Sequence, residues 1–490
     1  MRLKLKSIGK SRKLLFLFLL SFVLFYRSLF NFFTNDDFFL LKISRIGSVK
    51  EFVNFFNLIQ GPDGLGMYRP LTTQVYYFLD WQLFNLNPLG LHIISFLVFF
   101  GLIYLVYHLA KIITKSEKIS LTAGFLYASS ATHFGHLYYP ASFQELGLAL
   151  FFLLSVIYFI RFLEKTDVKD CLLSFVFFVL ALFSKETAVV LPFVLGLIYL
   201  FLRLQKRSKL NLGSIIFSLL PYFLLLSGYL YMRFAYYGFA TGDSYIWDFS
   251  LRRAVNTLGW YGLWSLNLPE MLVDFVEPGL TFNPNLFKLH SRDIWPIFIL
   301  FGAEVAVLIY SALKSKIPAL KSKAYIYALS AFWFIGTLTP VLFLPIHKFT
   351  FYLTLPLFGV VLAISTLLIG LKSKMPYYLL LTFWLLASVM TLNLTLKTHW
   401  ITRGGETAAK VYDYFNKNQT ALKGLKNIVF FDEPQDNLLP WSPTNVLKTT
   451  LSDNNFFKVF FNEKYQVWYG KDAFPGTEAV YIGARQFLGY

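Results

Sequence analysis

The chain has 490 residues, 56% of them hydrophobic and only 15% charged, with a mean hydropathy of +0.54. Soluble domains carry about 25% charged residues, and the apolar runs here reach about 18–20 residues, enough to cross a hydrocarbon core of about 30 Å, so a compact water-soluble enzyme is excluded. The net charge of +18 does not point to nucleic acid: the whole excess lies in six short segments, 1–13, 111–118, 161–170, 203–209, 314–323 and 372–374, and the remainder is neutral, as the positive-inside rule requires of cytoplasmic loops.

In chain order, the basic stretch MRLKLKSIGKSRK precedes LLFLFLLSFVLF with no small-residue cleavage site after it, which predicts an uncleaved first span. Alternation of apolar runs with the basic loops predicts about eleven transmembrane helices, N-terminus inside and C-terminus outside. They fall near 14–33, 88–110, 119–137, 143–160, 171–184, 187–202, 211–232, 294–313, 324–344, 350–371 and 376–396. The expected fold is an all-α polytopic membrane protein over 1–396. It has two long extracytoplasmic loops, 34–87 and 233–293, and a small extracytoplasmic α/β domain over 397–490. SVKEFVNFFNLI reads as an interfacial stretch, and 247–268, which holds Arg252, Arg253 and Asn256, as an interfacial or re-entrant helix. In the last segment ETAAKVYDYFNKNQ reads as a helix, NIVFFD and FFKVFFNEKYQVWYG as strands. There is no repeat of 20–50 residues, P-loop, GxGxxG or CxxC motif. The single cysteine, Cys171, cannot close an intramolecular disulfide and reads as a small apolar residue.

The polar residues are more telling than the spans. Asp36 and Asp37 follow the first span between phenylalanines; adjacent carboxylates at a membrane surface are costly, and their crowding favours a raised pKa and a general-base role. The charge parity places Tyr68 and Arg69, His133, His136 and Glu145, Lys185 and Glu186, and His347 and Lys348 on the same, extracytoplasmic side. Cations and carboxylates around one membrane-facing cavity suit an anionic lipid headgroup, the cations holding phosphate while a carboxylate takes a proton. The bland alternatives are that Asp36 and Asp37 merely solvate a helix end, and that Lys185 and Glu186 neutralise each other. His133 and His136 suit hydrogen bonding or packing better than metal ligation, since no third ligand is evident. Glu304, in mid-span, is expected to face the protein interior, as a buried hydrogen-bonding group or with a distant role in the site.

The order of these motifs resembles the GT-C superfamily of membrane glycosyltransferases, and within it the protein O-mannosyltransferase-like branch. The resemblance rests on the first span ending in Asp-Asp, then YRPLTTQVYYFLDWQLFNLNPLGLHIISFLVFF, ASSATHFGHLYYPASFQELGLALFFLL and ALFSKETAVVLP, and covers roughly 14–360. It implies transfer of a sugar from a polyprenyl-phosphate carrier to a hydroxyl of a protein, lipid or glycan, on the extracytoplasmic face of the membrane, by an inverting single displacement. Asp36 would be the base and Asp37 its assistant; Arg69, Lys185, His347 and Lys348 would bind the donor phosphate, and Tyr68, His133, His136, Glu145 and Glu186 would line the cavity. The late motif LPIHKFTFYLTLPLFGV lacks the arginine that relatives often place before the aromatic pair, and no tetratricopeptide repeats follow the membrane part. The expected partners are the lipid-linked donor, a hydroxyl-bearing acceptor and membrane lipid, with no nucleic acid. No cofactor is required, since diffuse cations stabilise a phosphate leaving group; a divalent metal at Asp36, His133 or His136 stays open, because some superfamily relatives use one. The rival readings are a transporter or lipid-linked-sugar flippase, and a noncatalytic scaffold.

Overall fold

The computed structural model describes residues 2–59, 66–238, 242, 245–277, 279, 281–315, 323–439, 441–470 and 478–489. Helices of eight residues or more carry the architecture. The first are α1 (Arg2–Phe25), α2 (Asp36–Ile43), α3 (Pro88–Thr114), α4 (Glu117–Ala128), α5 (Phe143–Lys165) and α6 (Val168–Ser184). After them come α7 (Leu191–Leu204), α8 (Leu212–Met232), α9 (Leu251–Trp264), α10 (Asn285–Lys314) and α11 (Ala324–Leu338). The last are α12 (Leu357–Ile369), α13 (Met375–Thr398), α14 (Trp400–Lys417) and α15 (Pro443–Thr450).

Among the described residues, eight helices are long and apolar enough to cross a membrane. They coincide with eight of the eleven expected spans; the helices at the other three fall short of that length, two of them for local reasons. The stretch expected at 119–137 ends as a helix at Ala128, where Ser129 and Ser130 break it into a 3₁₀ turn and a short helix, Phe134–Tyr138. The one expected at 350–371 starts as a 3₁₀ turn, Thr350–Leu353, and becomes α-helical only after Pro356. The third, α6, has 17 residues. The ambiguous stretch 247–268 contains α9, which is not among the eight, and the expected interfacial stretch holds a short helix, Val49–Asn54.

Three of the basic loops converge at one end of the bundle. Arg207 donates to the carbonyls of Ile112 and Ile113 and to Glu164, so the loops after α3, α5 and α7 are tied together. Helices α5 and α6 form an antiparallel hairpin with reciprocal serine bonds, Ser155 Oγ to the Ser174 carbonyl at 2.8 Å and Ser174 Oγ to the Ser155 carbonyl at 2.9 Å. Such bonds hold helices together where apolar lipid gives no hydrophobic drive. This hairpin carries Glu145 at the start of one arm and leads into Lys185 at the end of the other, at the end opposite the basic loops.

The last ninety residues form α14, α15, a short helix (Asn455–Phe461) and a three-stranded parallel sheet of β1 (Asn427–Phe431), β2 (Gln466–Tyr469) and β3 (Val480–Gly483), with β1 in the centre. The expected strand 456–470 is therefore half helix: its FFKVFF run buries Phe456 and Phe457 on one face, at helical spacing, and only QVWY is extended. This segment packs on the loop that follows α1. Phe456 meets Phe38 edge to face at 5.1 Å, Phe460 stacks on Phe32, and the Asn35 N–H donates to the Thr450 carbonyl at 2.8 Å. Gly404 and Gly405 permit the approach of α14: a Cβ at the first would lie 2.4 Å from Thr34 Oγ1, and at the second 3.0 Å from the Phe32 carbonyl oxygen.

Candidate active site

Asp36 and Asp37 occupy the first turn of α2, where the unpaired N–H groups of a helix favour carboxylates. The chain enters that turn through Asn35 at φ 50°, a backbone setting non-glycine residues seldom adopt. The two aspartates have different surroundings. Asp37 is fully buried and accepts the Thr34 N–H at 2.8 Å, the Ala141 N–H at 2.9 Å and the Tyr77 hydroxyl. Burial pushes its carboxyl up to about 8, against the pull of the Tyr77 and Thr34 donors and with a further rise from Asp36. It ties the loop after α1 to the helical stretch 71–84 and to the entry of α5. Asp36 is exposed, and its backbone N–H donates to the Tyr139 hydroxyl at 3.1 Å.

Two of the residues predicted to bind phosphate, Arg69 and Lys185, are in ion pairs. The guanidinium of Arg69, 5% exposed, makes a two-pronged ion pair with Glu186 and also donates to Gln144. Lys185 pairs with Glu145, the two side chains being 2% and 4% exposed, so the pair is dry. Lys185 and Glu186 thus do not neutralise each other; each has a partner from another element. Lys185 also lies 4.5 Å above the Tyr352 ring. Glu186 is 30% exposed, which turns the open side of the cluster toward a neighbouring groove.

That groove, of about 360 Å³, runs between Val189 and Val190 before α7, Tyr229 and Leu230 of α8, and Pro340, Phe343 and Leu344 after α11. Its polar end holds Lys185, Glu186 and Arg233. Arg233 donates to the Gly66 carbonyl at 3.0 Å and covers the Tyr237 ring; among the described residues no carboxylate pairs with it. Tyr245 closes the groove and connects the two charged regions: it stacks on His347 at 4.0 Å and lies within electrostatic reach of Arg69, Glu186 and Asp36.

His347 joins this cluster, but burial, with Lys185 and Arg69 adding to it, pushes its imidazole down to about 3, so it is neutral near pH 7. Lys348 stands apart, its electrostatic neighbours being Arg253 and Asp274. Tyr68 donates to the Phe56 carbonyl at 3.0 Å and packs on Phe183. His133 and His136 are buried and consume their own nitrogens: His133 Nε2 donates to the Tyr127 carbonyl at 2.7 Å, His133 Nδ1 meets His136 Nε2 at 3.2 Å, and His136 Nδ1 meets Thr354 Oγ1 at 3.0 Å. This bonding does not fit a metal held by the pair, and among the described residues no cluster of three or more His, Cys, Asp or Glu side chains suits an ion. Glu304 is buried, as expected, and among the described residues neither of its oxygens has a hydrogen-bond partner, which goes against the first of its two expected readings, a structural hydrogen bond.

Sequence reasoning missed Tyr77 and Tyr139, which orient the aspartates, and Gln144, Tyr245 and Arg233. The missed tyrosines sit among many apolar aromatics, and nothing local marks the ones whose hydroxyls bear on the site. It also missed a latch at the start of α14. His399 Nδ1 accepts the Ile401 N–H and its Nε2 donates to Glu270 at 3.2 Å; the other Glu270 oxygen accepts the Thr350 N–H and hydroxyl, both at 2.6 Å. Burial alone would raise the Glu270 carboxyl, but His399 and Thr350 overcome it and hold it below its usual range.

Residues 73–231 match the family of dolichyl-phosphate-mannose-protein mannosyltransferases. The matched part runs from the stretch that carries Tyr77 to the end of α8, and so includes Glu145, Lys185 and Glu186. It supports a glycosyltransferase of the GT-C type, mannosyltransferase-like, and the eight apolar helices support an integral membrane protein. No curated protein matches the chain.

Proposed function

We propose that this protein transfers a sugar from a polyprenyl-phosphate donor to a hydroxyl acceptor on the extracytoplasmic side of the membrane. The observation that carries this reading is the exposed Asp36 carboxylate, set on a fully bonded partner, in electrostatic reach of Tyr245 at the head of an apolar groove that ends in cations. The groove suits a prenyl chain, and its polar end suits a phosphate, with Arg233 and Lys185 as the cations nearest to it.

In the reaction Asp36 takes the proton of the acceptor hydroxyl, whose oxygen attacks the anomeric carbon. The bond from that carbon to the phosphate oxygen breaks, the electron pair leaves with the lipid phosphate, and the anomeric centre inverts. Phosphate is a good leaving group and needs charge stabilisation rather than a proton, which suits one carboxylate working with several cations. Asp37 holds Asp36 in place and does no proton transfer itself, because its three hydrogen bonds are committed to the fold.

The test is purified protein in lipid with a panel of polyprenyl-phosphate sugars, following release of lipid phosphate. Asp36→Asn is expected to lose about a hundredfold or more in turnover, the scale of general-base removal, without unfolding. Near-normal turnover would remove Asp36 from the role, and labelled lipid crossing the bilayer without sugar transfer would favour the flippase.

A further inference from the structure

A second cavity, of about 500 Å³, lies between the loop that ends at Asn35 and the helices α14 and α15. Nothing in the sugar-transfer reading uses it. Its lining is mixed: Val446, Leu488 and the Trp400 ring are apolar, while Asn35 and Asn445 present amides, Thr407 and Thr449 hydroxyls, and Arg403 a guanidinium. The Trp400 ring is 37% exposed and is braced edge-on by Tyr139 at 5.1 Å. Tyr139 is the residue whose hydroxyl takes the Asp36 N–H. The cavity therefore reaches the candidate base both through its neighbour in the chain, Asn35, and through the Trp400–Tyr139 contact.

We infer that this cavity is the acceptor site and that the acceptor it takes is a saccharide, whose terminal hydroxyl enters past Trp400 to Asp36. This rests on the sugar-transfer reading and gives it a substrate class. A supported aromatic ring next to a wall of amides, hydroxyls and one guanidinium matches a pyranose, which offers an apolar C–H face to a ring and hydroxyls to polar side chains. One mode of peptide binding adds a strand to an open sheet edge, with pockets for alternate side chains. The walls here are helices, and the sheet of β1, β2 and β3 contributes no residue to them. The role also accounts for the close seat of α14: the paired glycines that admit it against Thr34 and Phe32 bring this wall next to the base.

The experiment uses the full chain in lipid nanodiscs, with mannotetraose, chitotetraose and maltotetraose as probes and a serine/threonine-rich dodecapeptide as the contrast. Calorimetry measures binding without donor; a transfer assay with the donor that the wild type turns over measures KM for the same probes. At least one tetrasaccharide is expected to bind the wild type and to accept sugar. Trp400→Ala and Asn445→Ala are each expected to weaken that binding about tenfold and to raise its KM by a similar factor, while Trp400→Phe stays within about threefold of wild type. Asn445 is exposed on α15, so its variant keeps the test decisive if Trp400→Ala fails to fold. Failure of all three saccharides to bind, binding indifferent to both alanine variants, or transfer to the dodecapeptide that these variants impair instead, would each overturn the assignment. If the wild type splits no donor, the sugar-transfer reading fails on its own, and calorimetry still decides whether the cavity takes saccharides.

Discussion

The aspartate region and the cation region are built on one plan with opposite signs. At the first, a buried carboxylate, Asp37, is saturated by three donors while its neighbour Asp36 is open to solvent. At the second, the buried cations Arg69 and Lys185 are matched by Glu186 and Glu145, while Arg233 at the groove has only a carbonyl and a ring for company among the described residues. In each region the buried groups are spent on the fold, and a more accessible neighbour stands beside them. The regions differ in what a single substitution would cost. Asp37 leans mainly on main-chain N–H groups, whereas the cation region is a set of mutually dependent charges in a dry place, where removing one strands another.

The sharpest break of this comparison is therefore in the cation region. Glu145→Ala is expected to destabilise the fold by about 3–5 kcal/mol by stranding Lys185, whereas the double change Glu145→Leu with Lys185→Met is expected to recover most of that in thermal melting while remaining impaired in turnover. A double variant as unstable as the single one would show that the pair is not the unit described.

Next in size is the contrast between the aspartates. Asp36→Asn is expected to lose about a hundredfold in turnover with little change in melting temperature. Asp37→Ala is expected to lose about 3 kcal/mol of stability, because Thr34, Ala141 and Tyr77 are left with unmet donors. Equal effects of both changes on both readouts would erase the distinction between an open and a committed carboxylate.

Arg233→Ala is a milder probe. It is expected to raise KM for the lipid-linked donor about tenfold, with an effect that fades in high salt, as the loss of one charge-assisted phosphate contact would. An unchanged donor KM would move the phosphate back toward the buried pairs.

The smallest effect concerns the latch. The folded Glu270 carboxyl lies below its ordinary value of 4.5, so its contribution to stability is complete above that value and is lost as pH falls through the depressed folded value. The melting temperature is expected to drop on acidification below about pH 4.5, and Glu270→Gln to flatten that part of the profile; a Gln variant with the wild-type slope would place the acid sensitivity elsewhere.

Much of the membrane architecture was legible from hydropathy and charge because both are coarse, additive signals. Eight of the expected spans reappear as long apolar helices, and three basic loops gather at one end, as their parity requires. Two short helices were not legible, because Ser129-Ser130 and Pro356 are one- or two-residue events inside long apolar runs, whereas α6 covers its expected span in full. At the site, residue types could be read, but not partnership: nothing local tells that Lys185 faces Glu145, forty residues away, rather than the adjacent Glu186. The same limit let His133 and His136 pass as conceivable ligands, since only the fold reveals that Tyr127 and Thr354 already occupy their outer nitrogens. In the last segment, FFKVFF followed by a β-prone run misled because phenylalanine stacks equally well on a helix face or a sheet.

The paired glycines of α14 have one more consequence. Since they rest against the backbone just before Asp36, whatever shifts that helix shifts the carboxylate with it. A molecule trimmed back to its last long span would keep the apolar groove and its cations but lose the packing behind the turn that carries Asp36. Under the proposed sugar transfer, such a remnant would bind donor yet turn it over poorly, so the last segment would act as the support of the Asp36 turn.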